Sequence, residues 1–285
     1  MMEILNRALE QQPNPAGVRD SRFVVIRQSY PQLVSTVIRT FDDWIGGLGT
    51  MTYGVPITWK ARFRLNDGTT VKMEVIFLAL ERPEDAAKLR SLEVSHGVIS
   101  EASEIPGPIV EMLRGRVGRY PSKKNGVECT RPSIWVESNP PSTRSHWYNL
   151  LEVERPKGHK LFRQPPALLY DSESETYRAN PEAENIAALP GGFDYYFNQL
   201  AGASKEYISV YLMGNYGVSQ SGMPIYTEFT EKEHVAPLVL RPVTKNQIVM
   251  GMDLGLNAAA ALTQLTPLGA LHVLDEAVGS DMMLE

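Results

Sequence analysis

The acidic, hydroxyl and amide side chains that could activate water gather at the ends of two short apolar runs. HGVIS (96–100) runs straight into Glu101, Ala102, Ser103 and Glu104, with Pro106 close behind. Further along, IWVES ends in Ser138-Asn139-Pro140. In doubly wound sheets, ligands bind beyond the carboxyl ends of the strands. A carboxylate one residue past a strand therefore stands where it could polarise a water attacking a γ-phosphate. An asparagine at a neighbouring tip could sense that phosphate or hold the water. The same residues have a plainer reading: Ser-Glu also begins a helix, and Asn-Pro merely ends a strand in a turn. On spacing alone both readings stand.

Two further groups carry charge. Residues 114–124, RGRVGRYPSKK, set Arg114, Arg116, Arg119, Lys123 and Lys124 among glycines and a tyrosine. Such a run is either a solvated surface loop or a contact for DNA phosphates, which needs no base readout. In IVMGMDLG, Asp253 lies within an apolar strand between Gly251 and Gly255. An unpaired carboxylate is costly to bury, so a metal or a hydrogen-bond partner is expected beside it. Asp275 and Glu276, at the end of a later strand, read as a turn or as a weak additional ligand.

The elements that must position these groups follow from periodicity. Met1, Leu5, Ala8 and Leu9 give an amphipathic first helix that Pro13 closes. A strand over 21–27, a helix over 29–47 and two alternating segments around Asn66-Asp67-Gly68 come next, the last a hairpin signal. A helix over 82–93, a strand over 96–100, a helix from Pro106, and strands over 131–138 and 205–214 complete the first part. Residues 164–192, rich in Pro, Ser, Asn and acids, read as a surface excursion with a short helix near 180–188. Alternating strands and helices predict an α/β domain with a largely parallel sheet. Three short strands after residue 246 predict a β-meander, giving domains at 1–245 and 246–285.

The 285 residues, 43% of them hydrophobic, suffice for a sizeable core. A formal charge of −5 excludes a uniformly basic coat, so any nucleic-acid contact comes from a local patch. The single cysteine, Cys129, makes no internal disulfide, no Cys/His cluster suggests zinc, and a reducing cytoplasm is the natural compartment. No run approaches the roughly 18 apolar residues that span a bilayer. Glu3, Arg7 and Glu10 argue against a signal peptide.

Five stretches in order resemble the large terminase subunit of tailed bacteriophages, the motor that packages viral DNA. They are RFVVIRQSYPQLVSTVIRTF, EVIFLALERPEDAAKLRSLE, GVISEASEIPGPIVEMLRGRVGRYPS, SNPPS with the later HWY, and GMDLGLNAAAALTQL. The resemblance implies a P-loop NTPase-like parallel-sheet core followed by the first β-meander of an RNase H-like nuclease domain. It makes Glu101 the Walker B carboxylate of ATP hydrolysis, with Ser100 where relatives often carry an acid that helps hold Mg²⁺ through water. Ser138, Asn139 and Pro140 match the motif that couples hydrolysis to movement. Arg90 lies where some relatives place an arginine that reaches a neighbouring subunit's nucleotide; its plainer reading is an i,i+3 pair with Glu93. Arg27 has a similar standing. Asp253 matches the first of three acids that bind two Mg²⁺ or Mn²⁺ ions for DNA cleavage.

The implied partners are double-stranded viral DNA, a small terminase subunit, the portal protein and further copies of the chain. The implied setting is the host cytoplasm and, transiently, the viral procapsid, with no membrane. One departure stands out. The phosphate-binding loop G-x-x-x-x-G-K-[ST] is absent, and Gly46-Gly47-Leu48-Gly49-Thr50 lacks its lysine and follows a helix. The expectation is therefore a fragment without that loop and without most of the nuclease domain. It would be an incomplete motor subunit, a non-enzymatic remnant that only binds DNA or the portal, or a split-gene half that a partner chain completes.

Overall fold

Phe23, Val24, Val25 and Ile26 offer no polar face, so their strand has to be covered on both sides. The computed structural model, which describes residues 1–217, 229, 231–253 and 258–279, puts that strand inside a six-stranded sheet. The strands are β1 (Val18–Arg27), β2 (Gly49–Thr52), β3 (Ile57–Arg64), β4 (Thr70–Ala79), β5 (His96–Ser100) and β6 (Ser133–Glu137), in the order β2-β3-β4-β1-β5-β6. β4, β1, β5 and β6 pair in parallel. β2 and β3 add an antiparallel edge. The hairpin at Asn66-Asp67-Gly68 forms as its sequence predicts, with Gly68 at φ +85°.

Each face has its own core. On one, α1 (Met2–Glu10) and the helical run 30–48 set Ile4, Ala8, Leu33 and Phe41 against Trp59, Met73, Val75 and Phe77. That run is π-wound over Leu33–Ile38, and the Trp59 indole N–H donates to the Gly46 carbonyl at 3.1 Å, fixing its end to the sheet. On the other face, Val24, Ile26 and Ile99 pack beneath the helix Gly107–Arg114 and Trp147. Gly97 lets that helix sit close, because a Cβ there would come within 2.8 Å of Leu113 Cδ2.

Three expected elements differ. The 82–93 helix is one 3₁₀ stretch, Pro83–Leu89, tightened because the Asp85 carboxylate accepts from the N–H groups of Glu81 (2.9 Å) and Arg82 (3.1 Å). The 164–192 excursion contains a hairpin, β7 (Leu168–Asp171) and β8 (Thr176–Ala179), and its helix shrinks to Ile186–Ala188. The 205–214 strand is helical: Lys205–Tyr207 then the π-wound Ile208–Leu212. Ser204 caps it by accepting from the Tyr207 N–H, Ile208 and Leu212 bury one helical turn apart, and Tyr207 stacks on Tyr211. Spacing of four, not two, decides that segment.

The chain divides into two compact units, Met1–Ser219 and Gln220–Glu285. In the second, β9 (Ile248–Asp253), β10 (Ala259–Leu265) and β11 (Leu271–Val278) form the expected antiparallel meander. Gln264, 1% exposed, fastens the preceding chain by accepting from Val243 N–H and donating to the Val243 and Asn246 carbonyls.

His96 is the one buried imidazole of the sheet among the described residues, stacked between Phe23 (5.1 Å) and Trp135 (5.2 Å). Its Nδ1 lies 3.1 Å from Ser133 Oγ, while Nε2 has no partner among the described residues. Burial first, and the Arg7 charge second, push it from an ordinary 6.5 down to about 4. A base depressed in this way contributes stability above its unfolded pKa, and that contribution is lost as pH falls from about 6.5 to about 4. The limiting loss is about 3 kcal/mol. Denaturant unfolding between pH 7 and pH 4 should therefore show a steeper loss in the natural chain than in His96→Phe, which keeps the stack; parallel curves would contradict this.

Candidate functional site

The parallel register of β5 and β6 sets Ser100 opposite Glu137. The Ser100 hydroxyl donates to Glu137 Oε1 at 2.6 Å, so the two tips end at one level. Glu101 then leaves the strand at φ 52°, ψ 61°. For a residue with a Cβ, this left-handed conformation holds about 1–3 kcal/mol of strain, and such strain collects at functional sites. The plainer reading of Ser-Glu as the start of a helix is met only by the short 3₁₀ turn Ala102–Glu104. The Ser103 N–H donates to Ser138 Oγ at 3.2 Å, and the Asn139 backbone lies close enough to the Glu101 carboxylate to draw its pKa slightly down. Glu101, Ser138 and Asn139, separated in sequence, thus meet.

On the other side of β5, β1 ends at Arg27. Its guanidinium is buried, and Nη1 donates to Glu104 Oε2 at 2.9 Å and, at 3.4 Å, to the Ser100 carbonyl. This corrects the expectation of an arginine reaching outward: Arg27 holds the β5 tip from within. The Glu101 carboxyl is pushed up, first by burial and then by the charge of Glu137, against the pull of Arg27. A carboxylate so raised is a stronger base for water.

Among the described residues no group of three His, Cys, Asp or Glu side chains is set to hold a metal ion. Ser100, Glu137 and Glu101 do fit a cation such as Mg²⁺, which keeps several waters and takes other ligands from substrate phosphates. They would hold it through water, not in a cage. Sequence reading missed Glu137 and the inward role of Arg27. Their signal was register: each ends an apolar run beside β5.

Beside the Asn139 turn opens a cleft of about 600 Å³, lined by Ser138, Asn139 and Pro140 and by Arg163, Tyr211 and Tyr216. That is the size of a small-molecule site. A second cavity of about 420 Å³ surrounds Glu152, which accepts from the Tyr216 hydroxyl, Arg163 and Arg155. The Tyr216 bond foremost, then Arg163, hold this carboxyl down to about 2. It is a structural clasp between the 149–154 helix and the segment near 216.

The basic residues lie elsewhere. The Arg90 carbonyl accepts from Arg116 Nη1 at 2.6 Å, and among the described residues Arg90 forms no pair with Glu93. Arg114 meets His159 Nε2 at 3.1 Å, Lys123 pairs with Glu128 at 3.4 Å, and Arg119 and Lys124 are exposed. Bonds from Gly118 N–H to the Ser95 carbonyl and from Arg119 N–H to the Val94 carbonyl tie this loop to the start of β5, the end opposite Glu101.

Asp253 is not buried as expected. β9 is exposed along its length and Asp253 is its last residue, opposite Ala259. Asp275 and Glu276 lie on β11, with β10 between them and β9. Gly255 falls outside the described residues.

No protein-family model matches the sequence, and no curated protein does. Among solved structures, the chain is similar to the large terminase from a thermophilic bacteriophage in complex with ADP, with 16% identity and a TM-score of 0.46 over 92% of this chain and 56% of that one. The same phage's enzyme in complex with ATP-gamma-S gives 15% and 0.44, over 92% and 55%. The large terminase ATPase domain of a Thermus phage gives 11% and 0.38, over 75% and 82%. The chain thus spans a little over half the length of the first of these proteins.

The strain and the raised carboxyl at Glu101 make a stability prediction. Glu101→Gly removes both, and should stabilise the fold by about 1 kcal/mol in denaturant unfolding. A loss of stability instead would mean that Glu101 supports the fold and is not held at a cost.

Proposed function

We propose that the sheet domain is the hydrolytic core of an ATP-driven DNA-packaging motor of the large-terminase type. The observation that carries this is the convergence of Glu101, Ser138 and Asn139 at the carboxyl tips of two adjacent parallel strands. In this reading Glu101 accepts a proton from the water that attacks the γ-phosphate. Its left-handed backbone turns it out of the strand beside the β6 tip, where the Asn139 backbone and Glu137 lie near its carboxylate. Asn139, exposed at its side chain, meets the γ-phosphate, and its backbone, close to the Glu101 carboxylate, carries the loss of that phosphate into the β6 turn. Ser100 and Glu137 hold Mg²⁺ through water, and the ion neutralises charge on the phosphates.

In this reading Arg90, which is exposed, would serve a neighbouring copy's nucleotide, and Arg114, Arg116, Arg119, Lys123 and Lys124 would touch the load, double-stranded viral DNA. A small terminase subunit, a portal ring and the viral procapsid complete the assembly in the host cytoplasm. Cutting of DNA would belong to the unit that contains β9, with Asp253 as one ligand of a divalent ion. Because the 285 residues contain no G-x-x-x-x-G-K-[ST], the β- and γ-phosphates need a cradle supplied by a joined or separate segment.

With such a segment supplied, Glu101→Gln should lower ATP turnover by far more than tenfold, roughly 1.4 kcal/mol of barrier, and leave nucleotide binding nearly unchanged. Steady-state turnover and equilibrium binding measured side by side decide it. A fall of less than tenfold would remove Glu101 from the reaction.

A further inference from the structure

On the solvent side of the antiparallel edge, β3 carries Lys60, Arg62 and Arg64 at every second residue, all exposed, while Ile57, Trp59 and Ala61 face the core. Register places Thr50 and Glu74 beside Lys60, and Lys72 beside Arg62. Glu74 accepts from Arg22 at 2.7 Å and Lys60 at 3.3 Å, and Asp20 pairs with Lys72 at 3.3 Å. Arg62 and Arg64 have no ion pair or hydrogen bond among the described residues. Their charges are therefore uncompensated among the described residues.

This surface is continuous with the basic loop. The Arg22 guanidinium stacks 4.2 Å from the centroid of Tyr120, a member of the 114–124 segment, and the Tyr120 hydroxyl meets Asp20 at 3.5 Å. Residues two apart on a strand lie about 6.7 Å from one another, and one DNA strand presents a phosphate about every 3.4 Å along the axis. Lys60, Arg62 and Arg64 thus form a row about 13 Å long, the axial rise of about four base pairs. Threonines flank the row, and no large apolar side chain lies between the cations to enter a lipid surface.

We propose that the outer face of β3 is a second, sequence-independent contact for the backbone of double-stranded DNA, joined to the basic loop through the Arg22–Tyr120 stack. It rests on the reading of the loop as a DNA contact but uses different residues. It also places the duplex at the end of the sheet away from Glu101.

The test is binding of a duplex of arbitrary sequence across a range of salt. It compares the natural chain, Arg62→Ala with Arg64→Ala, Arg62→Lys with Arg64→Lys, and a loop variant with Arg114, Arg116 and Arg119 changed to Ala. Each lost phosphate contact lowers the salt slope by about 0.9, so the β3 alanine pair should lower it by about two while the lysine pair keeps it. A loop variant that loses slope beside a β3 variant that does not would overturn this proposal and leave the loop reading intact. Loss in the β3 variant alone would keep β3 as a DNA contact but overturn the loop reading and, with it, the proposal that β3 is a second contact joined to the loop. A natural chain that ignores DNA, or prefers anionic vesicles to it, would overturn both.

Discussion

The 2.6 Å bond from Ser100 to Glu137 marks the constraint on which the site depends: β5 and β6 run parallel and stop at the same level. Parallel neighbours need a crossover, and residues 101–132 supply it. The crossover begins with the strained turn at Glu101, continues through the helix Gly107–Arg114 seated close on Gly97, and returns by the basic loop to the foot of β5. One connection therefore positions the carboxylate at the tip and the cations at the foot. Had β6 paired antiparallel, Asn139 would lie at the far end of the sheet from Glu101.

Charge follows the same polarity. At the tips, the one buried guanidinium, Arg27, pairs with Glu104, and Glu101, raised first by burial, feels the charges of Glu137 and Glu104 against that of Arg27. Around the feet, Arg22, Lys60 and Lys72 only partly meet Glu74 and Asp20, while Arg62 and Arg64 are left over. A net charge of −5 hides this separation. Under the proposed function, phosphoryl and metal chemistry would belong to the first end and polyanion contact to the second.

Much of this was legible in the sequence. Period-two alternation gave β3 and β4, the Asn-Asp-Gly turn gave their hairpin, and the ends of two apolar runs gave Glu101, Ser138 and Asn139. What was not legible depended on partners distant in the chain. Arg27 looked like any strand-end arginine until Glu104 closed on it, and Glu137 had no role until register set it against Ser100. In Lys205–Leu212, β-branched and aromatic residues suggested a strand, yet Ser204 capping and the Ile208–Leu212 spacing made a helix. Asp253 was expected to be buried because its neighbours are apolar, but in the described sheet β9 is an edge strand exposed along its length.

The central claim is that the tips of β5 and β6 act as one electrostatic unit around Glu101. The most direct measurement is an NMR titration of the Glu101 side-chain carboxyl in the natural chain and in Glu137→Gln. The midpoint should lie above the ordinary glutamate value of 4.5 in the natural chain and move back toward it in the variant, because one of the neighbouring charges that raise it is gone. A midpoint at or below 4.5, indifferent to Glu137, would contradict the account.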